Sequence, residues 1–265
     1  MAGRKGTVHS IDSSSVQDYV KAIYGFTEWQ ETPITASQLA GRMSVANSSV
    51  TGMVAKLVEL GLARHEKYGP ISLTPAGLAL ALAMVRRHRL IETFLVDQLG
   101  YSWDEVHDEA ELLEHSVSDT FIERLDRKLG HPARDPHGDP IPAPDGVVPR
   151  PDAVPLARLD DGHRARVARI SDDNPALLKF LTDHGVGLDT PLLVSGRAPF
   201  GGLLAVAVGE SPRAPLLQLG EELVAAIWVE TLGTHEGCTL AAYSARTTPS
   251  PTAAAANDAP AVPSA

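Results

Sequence analysis

Glu111, Glu114 and His115 are separated by three and four residues, and His107 lies four residues before Glu111. On a helix such neighbours share a side, so two carboxylates and an imidazole would converge, with a second imidazole one turn earlier. Carboxylate oxygens and imidazole nitrogens at that spacing form most of a divalent-metal site. The carrier is the stretch Trp103–His115, read as one helix and held in a core by Val106, Ala110, Leu112, Leu113 and Val117. The alternative is a solvated acidic face with a stray histidine, which is common on helices. A second pair, His88 and Glu92, stands four residues apart, again one helical turn.

The helices that must position these groups are legible around them. Val16, Tyr19, Val20, Ile23, Tyr24 and Phe26 recur at helical spacing, predicting a first helix over about 15–30 with Asp18 among its apolar neighbours. Thr35 and Gln38 form a capping box for a short helix with Leu39, Ala40 and Met43 inward. After the turn Ser44-Val45-Ala46 a second helix begins at Asn47. Its front is small and polar, its core face is Val50, Val54, Leu57 and Val58, and Gly61 ends it. This is a helix-turn-helix pattern. Alternation on both sides of Tyr68-Gly69-Pro70 predicts a short hairpin, making the unit a winged helix. A helical hairpin with no DNA is the alternative. Asn47, Ser48, Ser49 and Thr51 would meet the groove, with Lys56, Arg64 and Lys67 on phosphates. Pro75 opens a long helix to about 98 carrying His88 and Glu92, and a further helix is expected from Ser118 to Leu129.

From His131 to Pro155 proline recurs, the texture of an extended, semi-rigid linker. Short strands around one small helix follow over 156–232, suggesting a small barrel. The last residues are rich in Thr, Ser, Ala and Pro and read as a disordered tail.

Composition narrows the function classes. Of the 265 residues 43% are hydrophobic, enough for a substantial core, and the single cysteine, Cys238, excludes internal disulfides and a cysteine-cluster metal site. No stretch of about 18 apolar residues exists, and the first ten residues lack an apolar signal region, so a cytoplasmic protein without membrane contact is expected. The net charge of −10 is uneven. Residues 1–80 carry 7 basic and 6 acidic residues, whereas 81–146 carry 7 and 14. Acid gathers where metal would bind, and the near-neutral N-terminal segment is free to approach phosphates. No Gly-rich phosphate loop or nucleophile elbow is present, which leaves a metallohydrolase as a remote alternative to a DNA-binding regulator.

Three motifs taken together, His88-Arg89-Leu90-Ile91-Glu92, Val106 through His115, and Asp135-Pro136-His137-Gly138-Asp139-Pro140-Ile141-Pro142, resemble the diphtheria toxin repressor family, most of all its actinobacterial manganese-dependent regulators. The resemblance covers about 12–232 and implies a mainly α chain with a small β domain. A winged-helix DNA-binding domain would occupy 1–74 and a metal-binding, dimerising helical domain 75–140. A Pro-rich linker would follow over 141–155, an SH3-like (FeoA-like) barrel over 156–232, and the tail over 233–265. It implies a primary metal site of Asp18, Glu111, Glu114 and His115, an ancillary site of His88, Glu92 and His107, and Asp173 as the nearest match for a barrel-domain ligand. Asp172 and Asn174 are its substitutes, since Ala176 falls where iron-type members carry an amide ligand. Those members also have a cysteine at the position of Glu111 and a methionine at that of Asp18. Carboxylates there suit Mn²⁺, with Fe²⁺ as the alternative. Lys21 stands where some manganese regulators place a glutamate that builds a two-ion cluster, so one ion per site is expected. The implied activity is a homodimeric repressor that binds palindromic double-stranded operators when metal-loaded and controls manganese uptake genes; an Fe(II)-dependent repressor of iron uptake is the alternative.

Overall fold

A computed structural model describes residues 11, 13–30, 32–66, 69–209 and 214–233. The chain forms two compact units, one of residues 1–152 with 169–183, the other of 153–168 with the chain from 184 onward. Residues 169–183 thus belong with the helical unit, although in sequence they interrupt the second fold.

The helical unit begins with α1 (Ser14–Glu28), α2 (Ala36–Arg42) and α3 (Asn47–Glu59). Val16, Val20 and Ile23 of α1 pack into one core with Leu39 of α2 and Val50, Val54 and Leu57 of α3. The first helix is therefore the floor on which the helix-turn-helix sits. The capping box is made as expected: Thr35 accepts from the Gln38 backbone N–H, and Gln38 Oε1 accepts from the Thr35 N–H. Gly61 takes a left-handed φ of 72° just beyond α3, a conformation glycine adopts without strain. Val58, expected in the core face, is instead 42% exposed; four residues beyond Val54 it has rotated past the edge of the narrow buried stripe. The wing is β1 (Ala63–His65) paired antiparallel with β2 (Ile71–Leu73). Lys67 and Tyr68 at its tip lie outside the described residues, as do Cys238 and the tail beyond 233.

Thr74 caps α4 (Pro75–Leu99), its side chain accepting from the Gly77 N–H, and Gly100 ends the helix in the left-handed conformation. Next come α5 (Val106–Glu114) and α6 (Asp119–Leu129), the latter capped by Ser118. Leu90, Ile91 and Leu95 of α4 pack with Val106 and Ala110 of α5 and Ile122 and Leu125 of α6. The helix expected from Trp103 starts only at Val106. The Glu105 N–H turns back to the Ser102 carbonyl, and the Glu105 carboxylate accepts from the Ser102 N–H, so 102–105 is a closed turn. Leu112, expected to hold α5 in the core, is 72% exposed. It is out of phase with Val106 and Ala110, which lie one turn apart.

The proline-rich stretch is not a free spacer over its first half. Asp135, His137, Asp139 and Ile141 are all buried. Proline removes backbone donors that burial would orphan. Two of the remaining donors, the N–H groups of His137 and Asp139, both go to Asp135 Oδ1, each at 2.9 Å. This strap is followed by the second unit, where β3 (Val154–Pro155), β4 (Arg164–Ile170), β5 (Pro191–Arg197), β6 (Leu204–Val208), β7 (Leu216–Leu219) and β8 (Ile227–Thr231) form a sheet in the order β3-β8-β4-β5-β6-β7. The register between β5 and β6 shifts at a bulge between Val194 and Gly196. The short helices α7 (Pro175–Asp183) and α8 (Glu221–Ala225) complete the chain, α7 lying in the helical unit.

Gly77 locks the wing to α4. A β-carbon there would stand 1.9 Å from the Leu62 carbonyl oxygen, and that carbonyl accepts from the Thr74 N–H at 2.9 Å. Gly77→Ala should destabilise the helical unit by about 1–3 kcal/mol, the usual cost of forcing extra volume into a packed site. Thermal unfolding of the metal-free chain measures this; an unchanged midpoint would show that the helix can slide to make room.

Candidate metal centre

Three helices aim ionisable groups into one cleft of about 510 Å³ lined by Asp18, Lys21, His88, Glu92, His107, Glu111 and Asp172. Asp18 and Lys21 come from one face of α1, His88 and Glu92 from one face of α4, and His107, Glu111 and Glu114 from α5, with His115 as the residue that caps its C-terminal end. Each helix is held in place by the apolar packing described above, so the separations are set by side chains that carry no charge.

At the α1 end, His115 Nε2 lies 2.7 Å from Asp18 Oδ1 and 3.5 Å from Glu114 Oε1. His115 Nδ1 faces Gln17 Oε1 at 2.9 Å. That acceptor takes the Nδ1 hydrogen, and Nε2 is turned toward the carboxylates. Asp18 Oδ1, despite its short distance to His115, makes no hydrogen bond. Close donors whose orientation does not satisfy one another suit a shared cation. Burial also pushes the Asp18 carboxyl above its ordinary range, more than the neighbouring His115 and Lys21 pull it down. Glu111 belongs to this group by sequence, but its nearest partner is Lys21, whose Nζ is 2.5 Å from both Glu111 Oε1 and Glu114 Oε1.

At the α4 end, His88 Nε2 is 2.9 Å from Glu92 Oε1 and 3.3 Å from His107 Nδ1. His107 Nδ1 is 3.4 Å from Glu92 Oε1 and 3.1 Å from Asp172 Oδ2. The two ends are joined through His88, whose Nδ1 is 2.6 Å from Glu114 Oε2. Burial opposes charge on His88, but Glu92 and Glu114 outweigh it and push the imidazole up to about 9. His107 is raised too, Asp172 and Glu92 overcoming its desolvation. The carboxylates answer in the opposite sense: Glu92, Glu114 and Asp172 all fall below their ordinary values, against their burial, because imidazoles face them.

Four sets of three groups place their ligand atoms within 4.8 Å of one another: His88, Glu92 and His107; Asp18, Glu114 and His115; His88, Glu111 and Glu114; and Glu92, His137 and Asp172. The first two follow the sequence expectation. The third shows that Glu111 is shared between the two ends. The fourth was missed. His137 is completely buried, its Nε2 donates to the Trp103 carbonyl at 2.7 Å, and its Nδ1 has no hydrogen-bond partner. That nitrogen lies 4.0 Å from Glu92 Oε2. The segment Asp135–Pro142 stood out in the sequence, but nothing in it signalled that its histidine folds back under α4. A second difference concerns the residues after β4: Asp172 faces His107, whereas Asp173 lies 3.4 Å from Arg42 and accepts from the Ser171 hydroxyl. Both residues line the cleft, but only Asp172 approaches the imidazoles.

The same cleft is also lined by a network of guanidinium–carboxylate pairs. Arg89 of α4 donates to both oxygens of Glu28 at the end of α1, at 3.0 and 2.6 Å, and to the Pro140 carbonyl at 2.7 Å. Asp139 accepts from Arg169 Nε and Trp29 Nε1, both at 2.7 Å. Asp135 lies among these acids, and its burial, reinforced by Asp139 and Glu92, pushes its carboxyl up to about 7. These bonds tie the C-terminal end of α1 to α4 and the strap.

In the winged helix, Asn47, Ser48, Ser49 and Thr51 are exposed at the front of α3, Lys56 is half-buried and Arg64 is exposed on β1. Thr51 spends its hydroxyl on the Asn47 carbonyl at 2.9 Å.

Residues 13–71 match the model of the iron dependent repressor N-terminal DNA binding domain, 74–143 the iron dependent repressor metal binding and dimerisation domain, and 154–231 the FeoA domain. The chain is 35% identical over 188 residues to the iron-dependent repressor IdeR of Mycobacterium tuberculosis (strain ATCC 25618 / H37Rv), a match spanning 68% of this chain and 79% of that protein. It is 35% identical over 161 residues to the diphtheria toxin repressor of Corynebacterium diphtheriae, spanning 58% and 71%. Among solved structures, a manganese-dependent transcriptional repressor in complex with manganese superposes with a TM-score of 0.78 at 48% identity, covering 82% of this chain and all of that one. The manganese regulator SloR superposes at 0.70 and 34%, covering 82% and 98%. With a winged helix, a helical metal-binding and dimerisation domain and an SH3-like FeoA domain in this order, the chain belongs to the diphtheria toxin repressor family of metal-dependent transcriptional repressors.

Proposed function

We propose that this chain is a manganese-activated repressor acting as a homodimer on palindromic DNA in the cytoplasm, with manganese uptake genes as its targets. The observation that carries the reading is the donor set: the four groupings that bring ligand atoms together consist of carboxylates and imidazoles, with no cysteine among them. Hard oxygen donors suit Mn²⁺, whereas thiolate and thioether favour softer or later ions. The manganese-dependent repressor and SloR structures, which share the fold, carry manganese in their names.

In this reading Asp18, Glu111, Glu114 and His115 hold the primary ion. A second ion is held around Glu92 by His88, His107 and Asp172, with the buried His137 completing the set and Asp172 replacing Asp173. When bound, the metal supplies positive charge that offsets the repulsion among these carboxylates. Asp18 on α1 and Glu114 and His115 on α5 then keep the two helices together. Because α2 and α3 share a core with α1, the position of α1 sets where the reading helix stands. Metal shifts this equilibrium only by its greater affinity for the DNA-competent arrangement. Asn47, Ser48 and Ser49 present short polar side chains that allow close approach of α3 to a groove, and Arg64, with Lys56 and Lys67, supplies phosphate contacts. Leu112 and Phe121, exposed on the helical domain, offer apolar surface for the second copy.

The direct test is DNA binding by fluorescence anisotropy, using sites recovered by genomic selection and a panel of Mn²⁺, Fe²⁺ and Zn²⁺. Activation by Mn²⁺ is expected, and Glu111→Cys should shift preference toward Fe²⁺ or Zn²⁺ by roughly tenfold or more. Binding that ignores metal, or a Glu111→Cys chain as selective for Mn²⁺ as the parent, would refute the reading.

Asp172→Asn should weaken the ancillary ion by about 10–100-fold, the usual effect of damaging a metal's immediate surroundings. Asp173→Asn should leave it unchanged. Metal titration of the two variants by calorimetry separates them, and equal effects would return Asp173 to the site.

Metal binding should also release protons. His88, raised to about 9, and His107, raised as well, are protonated at neutral pH and must lose a proton to ligate. Affinity for Mn²⁺ should therefore climb as pH rises toward about 9, where His88 loses its proton, and go on climbing toward about 11, where His107 does. Calorimetry in buffers of differing ionisation enthalpy reports the protons released; a heat independent of buffer would show that neither imidazole ligates.

A further inference from the structure

Lys21 is the cation of the cleft that touches Glu111 and Glu114, and its ammonium has no place in a metal site. It follows Asp18 by three residues on α1, so both side chains face α5. Its Nζ stands 2.5 Å from Glu111 Oε1 and 2.5 Å from Glu114 Oε1, and its side chain is only 16% exposed. Glu114 is fully buried and has both oxygens engaged, one by Lys21 and the other by His88. Burial works against the Lys21 charge, but the two carboxylates overcome it and hold the amine protonated.

We propose that Lys21 is an intramolecular cation that occupies the carboxylates of the primary metal site until metal takes them. Resting on the reading of Glu111 and Glu114 as ligands, it assigns Lys21 two linked roles. In the metal-free chain the ammonium bridges α1 to α5, doing part of the structural work that metal does later. It also competes for the same oxygens, so that an incoming divalent ion must draw Glu111 and Glu114 away from it, and remains close to a fixed positive charge afterwards. Both effects raise the metal concentration at which the switch turns. Two like charges a few ångströms apart in a partly buried site repel appreciably. The ammonium has only donors and no lone pair while protonated, so it cannot join the ligand set. The distances also explain why the amine is accommodated in an otherwise buried place: it is matched by two acids rather than one, and burying a charge is tolerable when it is paired and hydrogen-bonded.

The test uses the full chain with Lys21→Met and Lys21→Gln, both of similar length and without charge, and Lys21→Arg, which keeps the charge. Mn²⁺ affinity is read by competition with a fluorescent chelator. Docking of α1 is read by hydrogen exchange of its backbone amides in the metal-free chain. Met and Gln should each bind Mn²⁺ roughly 10–100-fold more tightly, as expected from removing one nearby positive charge, and should exchange faster across α1 without metal. Arg should stay near the parent in both. Unchanged or weaker Mn²⁺ binding in Met and Gln would overturn the competition, and unchanged α1 exchange would overturn the tether. A variant too unstable to bind metal would show Lys21 to be a plain structural charge and would also overturn the proposal. The exchange comparison involves neither metal nor DNA. A parent chain that ignores Mn²⁺ would therefore refute the functional reading while leaving the tether to be judged separately.

Discussion

The helical unit is organised around carboxylates that it buries. Glu28, Glu92, Glu114, Asp135 and Asp139 are all nearly inaccessible to water. A buried anion costs several kcal/mol unless it is paired and hydrogen-bonded. Each here has a partner: Arg89 grips Glu28, Arg169 and Trp29 hold Asp139, Lys21 and His88 share Glu114, His88 and His107 face Glu92, and Asp135 accepts from the His137 and Asp139 N–H groups. The pairs are of two kinds. Some are closed by guanidinium groups, which stay charged at any relevant pH. The others depend on one ammonium and on imidazoles, which in the proposed site give up protons to bind the ion. The guanidinium pairs are therefore permanent joints, and in the proposed reading the others are the part open to control.

That division explains how a small ionic event can reach the DNA-binding surface. Helix α1 is pinned at its C-terminal end by Glu28 and Arg89, while near its start Asp18 and Lys21 face α5. In the proposed reading α1 is fixed at one end and held at the other only while its partners on α5 are engaged, which lets it pivot. Its apolar face, from Val16 to Ile23, is also the core of the helix-turn-helix, so any pivot carries α2 and α3 with it. The polar front of α3 needs no rearrangement of its own.

The strap between α6 and β3 has a larger part than a connector. Its prolines reduce the number of backbone donors needing partners, and Asp135 satisfies two of those that remain. This allows His137 to be completely buried with a free Nδ1 pointing at Glu92, its ring oriented by the Trp103 carbonyl. Trp103 sits in the turn before α5 rather than within the helix, and that position is what frees its carbonyl to accept from His137.

Local patterns were enough to specify much of this protein. Helical periodicity placed α1, α4 and α6; the Thr35–Gln38 capping box and the glycine after α3 delimited the helix-turn-helix; alternation around Gly69 gave the wing. The i, i+3 and i, i+4 spacings grouped Glu111 with Glu114 and His115, and His88 with Glu92, because those relations hold within a single helix whatever surrounds it. What the sequence left open were contacts between segments distant along the chain, which depend on packing. Whether Asp172 or Asp173 approaches the imidazoles depends on the twist of the chain leaving β4. The burial of His137 depends on a strap whose composition reads as an exposed linker. The pairing of Lys21 with Glu111 and Glu114 joins residues 90 and 93 positions apart, and no local rule relates them. Residue types and spacings determined which chemistry was available, and only the packing of α1 against α4 and α5 decided which charges share a site.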